Sequence, residues 1–294
     1  MNPYSRPIKH IQREELYTNL EIRIQYLHSF LDFSSRTSYT HNDNNIRPIS
    51  RESDINPYFI PGDIDALISD SKYIKALIPA VVNIVYKKLL QYDITARAFT
   101  TRSTSFEGPL DEIPDENSPQ ILHRKMFLRA YLNKLCSDPS KMEFWEYLDK
   151  VGMMHVGLGR KHPLHIEYVH LGACLGFIQD IMNEAILSHP RLHIQRKIAL
   201  VKALNKVIWV QNDLMAKWHV KDGAEFESPD SDIEIEREGY LHGKKILSDE
   251  DMKDTANAEG APDGEEKAIP QGTCPFSGVS AAGASVKHGD SEAA

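Results

Sequence analysis

Four histidines, His155, His162, His165 and His170, fall within sixteen positions of an otherwise apolar stretch, GMMHVGLGRKHPLHIEYVHLGACLGFIQDIM (152–182). Imidazole is the commonest metal ligand and changes charge near neutrality. The stretch therefore reads as a metal site, a cofactor site, or a core that contains histidines, and spacing separates the four. Phe144, Leu148, Val151 and His155 follow at intervals of 4, 3 and 4, which is one face of an α-helix. His155 closes that apolar stripe on the last turn, and Gly157 and Gly159 end the helix. The pattern alone favours a core histidine bonded to a backbone carbonyl. His162 and His165 flank Pro163 and read as surface or capping residues. A zinc site from His155, His162 and His165 is an alternative that no HExxH motif or cysteine pair supports. Glu167 and His170 form one Glu-x-x-His step, where a di-iron bundle needs two.

The elements that carry these residues read as helix after helix. Leu16, Leu20, Ile24, Leu27 and Leu31 predict one helix over 12–33, and residues 34–57 a polar loop. A short helix follows at 61–70. A long one is expected over 72–91, kinked at Pro79. Residues 100–118 form a second loop, and Ser118-Pro119 starts a helix to about Leu135. Further helices are expected over 139–156, from Pro163 to about Leu187, and over 191–218. Ile194, Ile198, Val201, Leu204, Ile208 and Met215 mark the core face of the last. No alternating strand pattern occurs. The fold class is all-α, with about seven or eight helices.

Charge divides the chain. Residues 222–294 hold 18 acidic against 6 basic residues, while residues 1–221 hold 24 acidic and 28 basic. The first part reads as the folded domain, 1–221. The second reads as an acidic low-complexity tail, disordered apart from a short helix around Ile233–Leu247, whose deletion is expected to leave the fold intact. Neither part has the concentrated basic face of a nucleic-acid binder. No stretch is apolar enough to span a membrane, no secretory pattern opens the chain, and three widely spaced cysteines suit a reducing compartment. A cytoplasmic protein is expected.

The run from Phe144 to Gln179 resembles the proximal half of the globin-sensor domain, as in the protoglobin-like proteins of fungi and other microbes. In that family a helix ends in a haem-binding histidine, and a short loop leads to a helix beginning much like PLHIEYVHLGACLGFIQD (163–180). LIPAVVNIVYKKLLQYDITARAF (77–99) resembles the family's long B helix and the turn after it, and RIQYLHSFLDF (23–33) its extra N-terminal helix. The resemblance implies a globin-like fold with haem b as cofactor and His155 as the proximal ligand. It puts Tyr86 at the place of a distal tyrosine and Phe127 at that of a distal aromatic. His123, one turn before Phe127, is a rival donor or sixth ligand. Phe144, Leu148, Val151, Leu158, Leu171, Leu175 and Ile178 are the expected walls.

The function so implied is binding of dioxygen, or of carbon monoxide or nitric oxide, as a gas sensor or carrier. Its alternatives are a redox protein handling peroxide or nitrogen oxides, and a haem-free helical interaction module. No catalytic output pattern follows residue 220. The resemblance also implies a homodimer through 163–187 and 191–218. Val207 and Trp209, off the Ile198–Leu204–Ile208 stripe, suggest the same. Cys274-Pro275 is similar to a haem-regulatory dipeptide and reads equally as a tail thiol.

Overall fold

The computed structural model describes residues 10–34, 38–39, 59–60, 62–226, 233–248 and 250. In place of one helix over 12–33 there are two, α1 (Arg13–Thr18) and α2 (Leu20–Phe30). Asn19 breaks them. Its backbone is extended, and its side-chain oxygen accepts from Glu21 N (3.0 Å) and Ile22 N (3.3 Å), restarting the helix as an N-cap. The leucine repeat runs across this break, so periodicity does not reveal it. Two residue pairs, β1 (Ser38–Tyr39) and β2 (Phe59–Ile60), join antiparallel.

Proline placement also differs from expectation. Helix α3 (Asp63–Lys75) stops, and α4 (Ile78–Leu90) begins with Pro79 in its first turn. Pro79 therefore opens a helix and kinks none, because the N–H it lacks has no partner in a first turn anyway. Helix α5 (Asp93–Ala96) runs into a 3₁₀ turn at Arg97–Thr100. Helix α6 (Pro119–Leu135) starts at the expected proline, and α7 (Met142–His155) ends on the expected histidine. Gly157 follows at φ 88°, a left-handed conformation that favours glycine. Residues 163–167 stay extended, and Ile166 N donates to His155 O (2.8 Å), so α8 is Tyr168–Ser188 and begins five residues after Pro163.

Helix α9 (Ile194–His219) is the centre of the packing, with α3, α7 and α8 around it. Covered on several sides, it buries Leu200, Ala203, Leu204, Val207 and Leu214. That reverses part of the expected core face. Val207 is inside, whereas Ile194 and Ile198 lie exposed with Trp209, which is 58% accessible. Helices α7 and α9 cross closely at Gly152, where an added Cβ would stand 2.5 Å from Leu214 O. Helix α4 packs on α6 and α8.

The chain does not leave the domain at residue 221. Residues 233–248 return to it as a hairpin, β3 (Tyr240–Leu241) with β4 (Lys244–Lys245), and bury Leu241 and Leu247, the latter only 1% accessible. Glu236 N donates to Gly159 O (3.1 Å). The Lys150 ammonium of α7 bonds both the Glu236 carboxylate and Tyr240 O. The acidic composition conceals two apolar anchors and the counter-charge for a buried lysine. Gly239 and Gly243, at φ 82° and 73°, turn the segment where a helix was expected. Residues 251–294, Cys274 among them, lie outside the described residues.

Candidate functional site

Helices α4, α6, α7 and α8 line a cavity that is open to solvent on one side. Tyr86 comes from α4, and Arg124, Phe127, Leu128 and Tyr131 from α6. Helix α7 supplies Tyr147, Lys150, Val151, Met154 and His155, and α8 supplies Leu171, Cys174, Leu175 and Ile178. Ser103, Arg160, Met215, Glu238 and Gly239 complete the lining.

His155 reaches this wall because it ends α7 one turn after Val151. Its Nδ1 donates to Val151 O at 2.6 Å, one helical turn back. A carbonyl only accepts, so the proton sits on Nδ1 and the Nε2 lone pair is open. Burial pulls the imidazole down to about 4, against the Val151 bond that favours its charge, so the ring is neutral at pH 7.

Tyr86 is nearly buried, with its ring 5.6 Å from that of Phe99. Burial holds its hydroxyl protonated, well above the usual phenol range, against the nearby Arg124 charge. The Tyr131 hydroxyl is buried on the same wall with no hydrogen-bond partner.

The expected site residues divide. His155, Tyr86, Phe127, Val151 and Leu175 line the cavity, as do Leu171 and Ile178 from the wider expected wall. Leu148 and Phe144 are buried without lining it, and Leu158 is 39% accessible. His123 meets Phe127 edge-on (5.0 Å) and lies tilted to Phe106 (4.9 Å), and it contacts Ser105 Oγ at 3.2 Å, outside the lining. His165 lies 5.4 Å from the His219 ring, and His170 pairs with Glu167 at 3.4 Å on the surface. Among the described residues no group of three or more His, Cys, Asp or Glu could hold a metal ion, so the zinc alternative has no counterpart.

Sequence reasoning missed Tyr131, Arg124, Arg160 and Glu238. Tyr131 and Arg124 carried a signal, standing one turn from Phe127 and Leu128 on α6. Arg160, in a loop, and Glu238, about eighty residues further on, carried none.

A mostly apolar cavity among packed helices, with one neutral imidazole on its wall, is the architecture of a haem-pocket globin. The Protoglobin family model matches residues 59–225, more than half of the chain, and the chain belongs to the protoglobin family. It is accordingly a globin-type haem protein that binds a diatomic gas. No curated protein matches it. Among the described residues no helix is long and apolar enough to cross a membrane.

Proposed function

We propose that the protein is a b-type haem globin with His155 as proximal ligand, binding dioxygen as a cytoplasmic sensor or carrier. The observation that carries this reading is the open Nε2 of His155 on the cavity wall, its ring fixed by the Nδ1 bond to Val151 O. The same wall fits the cofactor on two further counts. Its α8 face is apolar or thiol, and the orphaned Tyr131 hydroxyl points to an occupant that accepts a hydrogen bond. When bound, haem supplies an iron that coordinates a diatomic ligand reversibly.

The chain's own residues do the rest. The Val151 bond sets the His155 tautomer and orientation and raises its basicity. Tyr86 stays a phenol and offers one O–H to a ligand on the distal side. Tyr131 offers a second, and its unpartnered hydroxyl makes it the stronger rival to Tyr86. Leu171, Leu175 and Ile178 keep water from the site. The functional domain in this reading extends through residue 248, since Glu238 and Gly239 form part of the wall.

The protein is also proposed to dimerise through α8 and α9. Val169, Ala173 and Gly176 on α8, and Ile194, Ile198 and Trp209 on α9, make exposed small and apolar strips on neighbouring helices. A two-fold four-helix interface would bury them symmetrically.

Titration of the metal-free protein with iron protoporphyrin IX tests the haem reading. One equivalent is expected to bind with a sharp Soret band and a reduced form that takes up dioxygen and releases it under argon. Absence of any saturable Soret change would leave the haem-free interaction module as the better account.

A further inference from the structure

Two guanidinium groups, Arg124 of α6 and Arg160 in the loop after α7, stand on the cavity wall. The Nε of each is buried and has no hydrogen-bond partner. Arg124 donates to Thr101 O and lies over the Phe99 ring at 5.5 Å, contacts that bring no negative charge. Burial lowers the pKa of both groups, and the Arg124 charge adds to the effect on Arg160.

One anion, Glu238, is near both, but its oxygens are committed. Oε1 accepts from Thr104 N (2.9 Å), and Oε2 accepts from Ser105 N (2.9 Å) and Ser105 Oγ (2.5 Å). Burial would raise its carboxyl, yet these bonds and Arg160 hold it below the usual carboxylate range. Glu238 thus stays charged while clamping the 104–105 backbone, and its hydrogen bonds go to Thr104 and Ser105 and not to either arginine. Two half-buried cations, each with a buried and unpartnered Nε, facing one committed carboxylate leave positive charge unbalanced, which is costly where solvent is partly excluded. The planar guanidinium fork is the side chain best matched to a carboxylate. Lys150, a third cation on the wall, is already taken by Glu236 and Tyr240 O.

We infer that Arg124 and Arg160 receive the two propionate carboxylates of the haem, beside the Glu238 clamp. The inference rests on the haem reading of the cavity. It assigns the arginines to cofactor retention and orientation, and leaves the distal side to the tyrosines.

The experiment compares iron protoporphyrin IX with its dimethyl ester, which keeps the iron and the ring but has no ionised carboxylate. Binding is read by tryptophan quenching, and release by transfer to an apoglobin acceptor. The full-length protein is expected to hold the diacid about tenfold to a hundredfold more tightly than the ester. Arg124→Gln with Arg160→Gln should reduce that preference to about twofold or less, mainly by weakening the diacid. Arg124→Lys with Arg160→Lys should retain an intermediate preference, which controls for misfolding of the glutamine variant.

Equal binding of diacid and ester by the unmodified protein overturns the inference and assigns the arginines to a free anion or to structure. Equal losses for both porphyrins in the glutamine variant, with the preference intact, overturn it as well. A faster dioxygen release in Arg124→Gln at unchanged diacid preference would make Arg124 a distal group and overturn its part. Failure of either porphyrin to bind the unmodified protein defeats the haem reading itself, a result distinct from the others.

Discussion

The α7 wall of the cavity and the part of its lining that residues 233–248 complete are built in opposite ways. The wall is local: His155 and Val151 are one turn apart on α7, and one i to i−4 bond orients the imidazole. The second part is assembled from distant segments. Glu238 closes on Thr104 and Ser105, Lys150 reaches Glu236 and Tyr240, and Gly239 packs near Phe127. A ligand position can thus be written into a few helical residues. The second part needs a distant segment to return, and its loss is expected to open the site without unmaking the Val151–His155 turn.

The largest predicted effect tests whether the 233–248 segment belongs to the fold. Leu247→Ala removes a fully buried side chain and should cost about 2–5 kcal/mol of unfolding free energy, measured by urea titration. A cost below about 0.5 kcal/mol would return residues 233–248 to the status of an appended tail.

The next concerns the wall. His155 titrates at about 4 in the fold against about 6.5 unfolded, so between those values the unfolded chain binds the additional proton. Stability of the haem-free protein is therefore full above about pH 6.5 and falls as pH drops toward 4, by up to about 3 kcal/mol from this group. His28, buried beside Phe33 and Trp145, is also lowered to about 4 and loses in the same window. The His155→Gln variant isolates the first share. Its acid loss should be smaller than that of the unmodified protein, and an equal loss would mean that His155 is not held neutral by burial.

A smaller change separates the two regions through the scaffold they share. Gly152→Ala drives a methyl toward Leu214 O at the α7–α9 crossing and should cost about 1–3 kcal/mol in thermal unfolding. It should loosen His155 more than the Glu238 clamp, seen as haem loss before any change in protease resistance of the 233–248 segment.

The smallest effect on stability is predicted at Trp209, outside both regions. Trp209→Glu should change the monomer's stability by no more than about 0.5 kcal/mol. It should nevertheless halve the sedimenting mass if α8 and α9 form the dimer. A mass near 33.4 kDa for the unmodified protein at every concentration would remove the dimer instead.

This contrast also explains how much was legible in the sequence. The helical class, the start of α6 at Pro119 and the end of α7 at His155 follow from local signals. Pro79 was ambiguous because a proline in an apolar run marks a kink or a start equally well. Asn19 was hidden under an unbroken leucine repeat. The faces of α9 were misjudged at Ile194, Ile198 and Val207 because a helix packed on three others buries more than one stripe. Arg160 and Glu238 had no local signature, since their roles arise only when segments about eighty residues apart meet. The acidic surroundings of Leu241 and Leu247 masked them further.

The central claim is that His155 supplies the proximal bond, and the visible spectrum of a His155→Gly variant tests it most directly. Haem-loaded His155→Gly should lose most of its cofactor or show an altered Soret band. Millimolar imidazole should restore the unmodified spectrum by filling the vacated position against Val151 O. His162→Ala and His165→Ala should leave the spectrum unchanged. A His155→Gly protein with full haem content and an unaltered spectrum in the absence of imidazole would contradict the account.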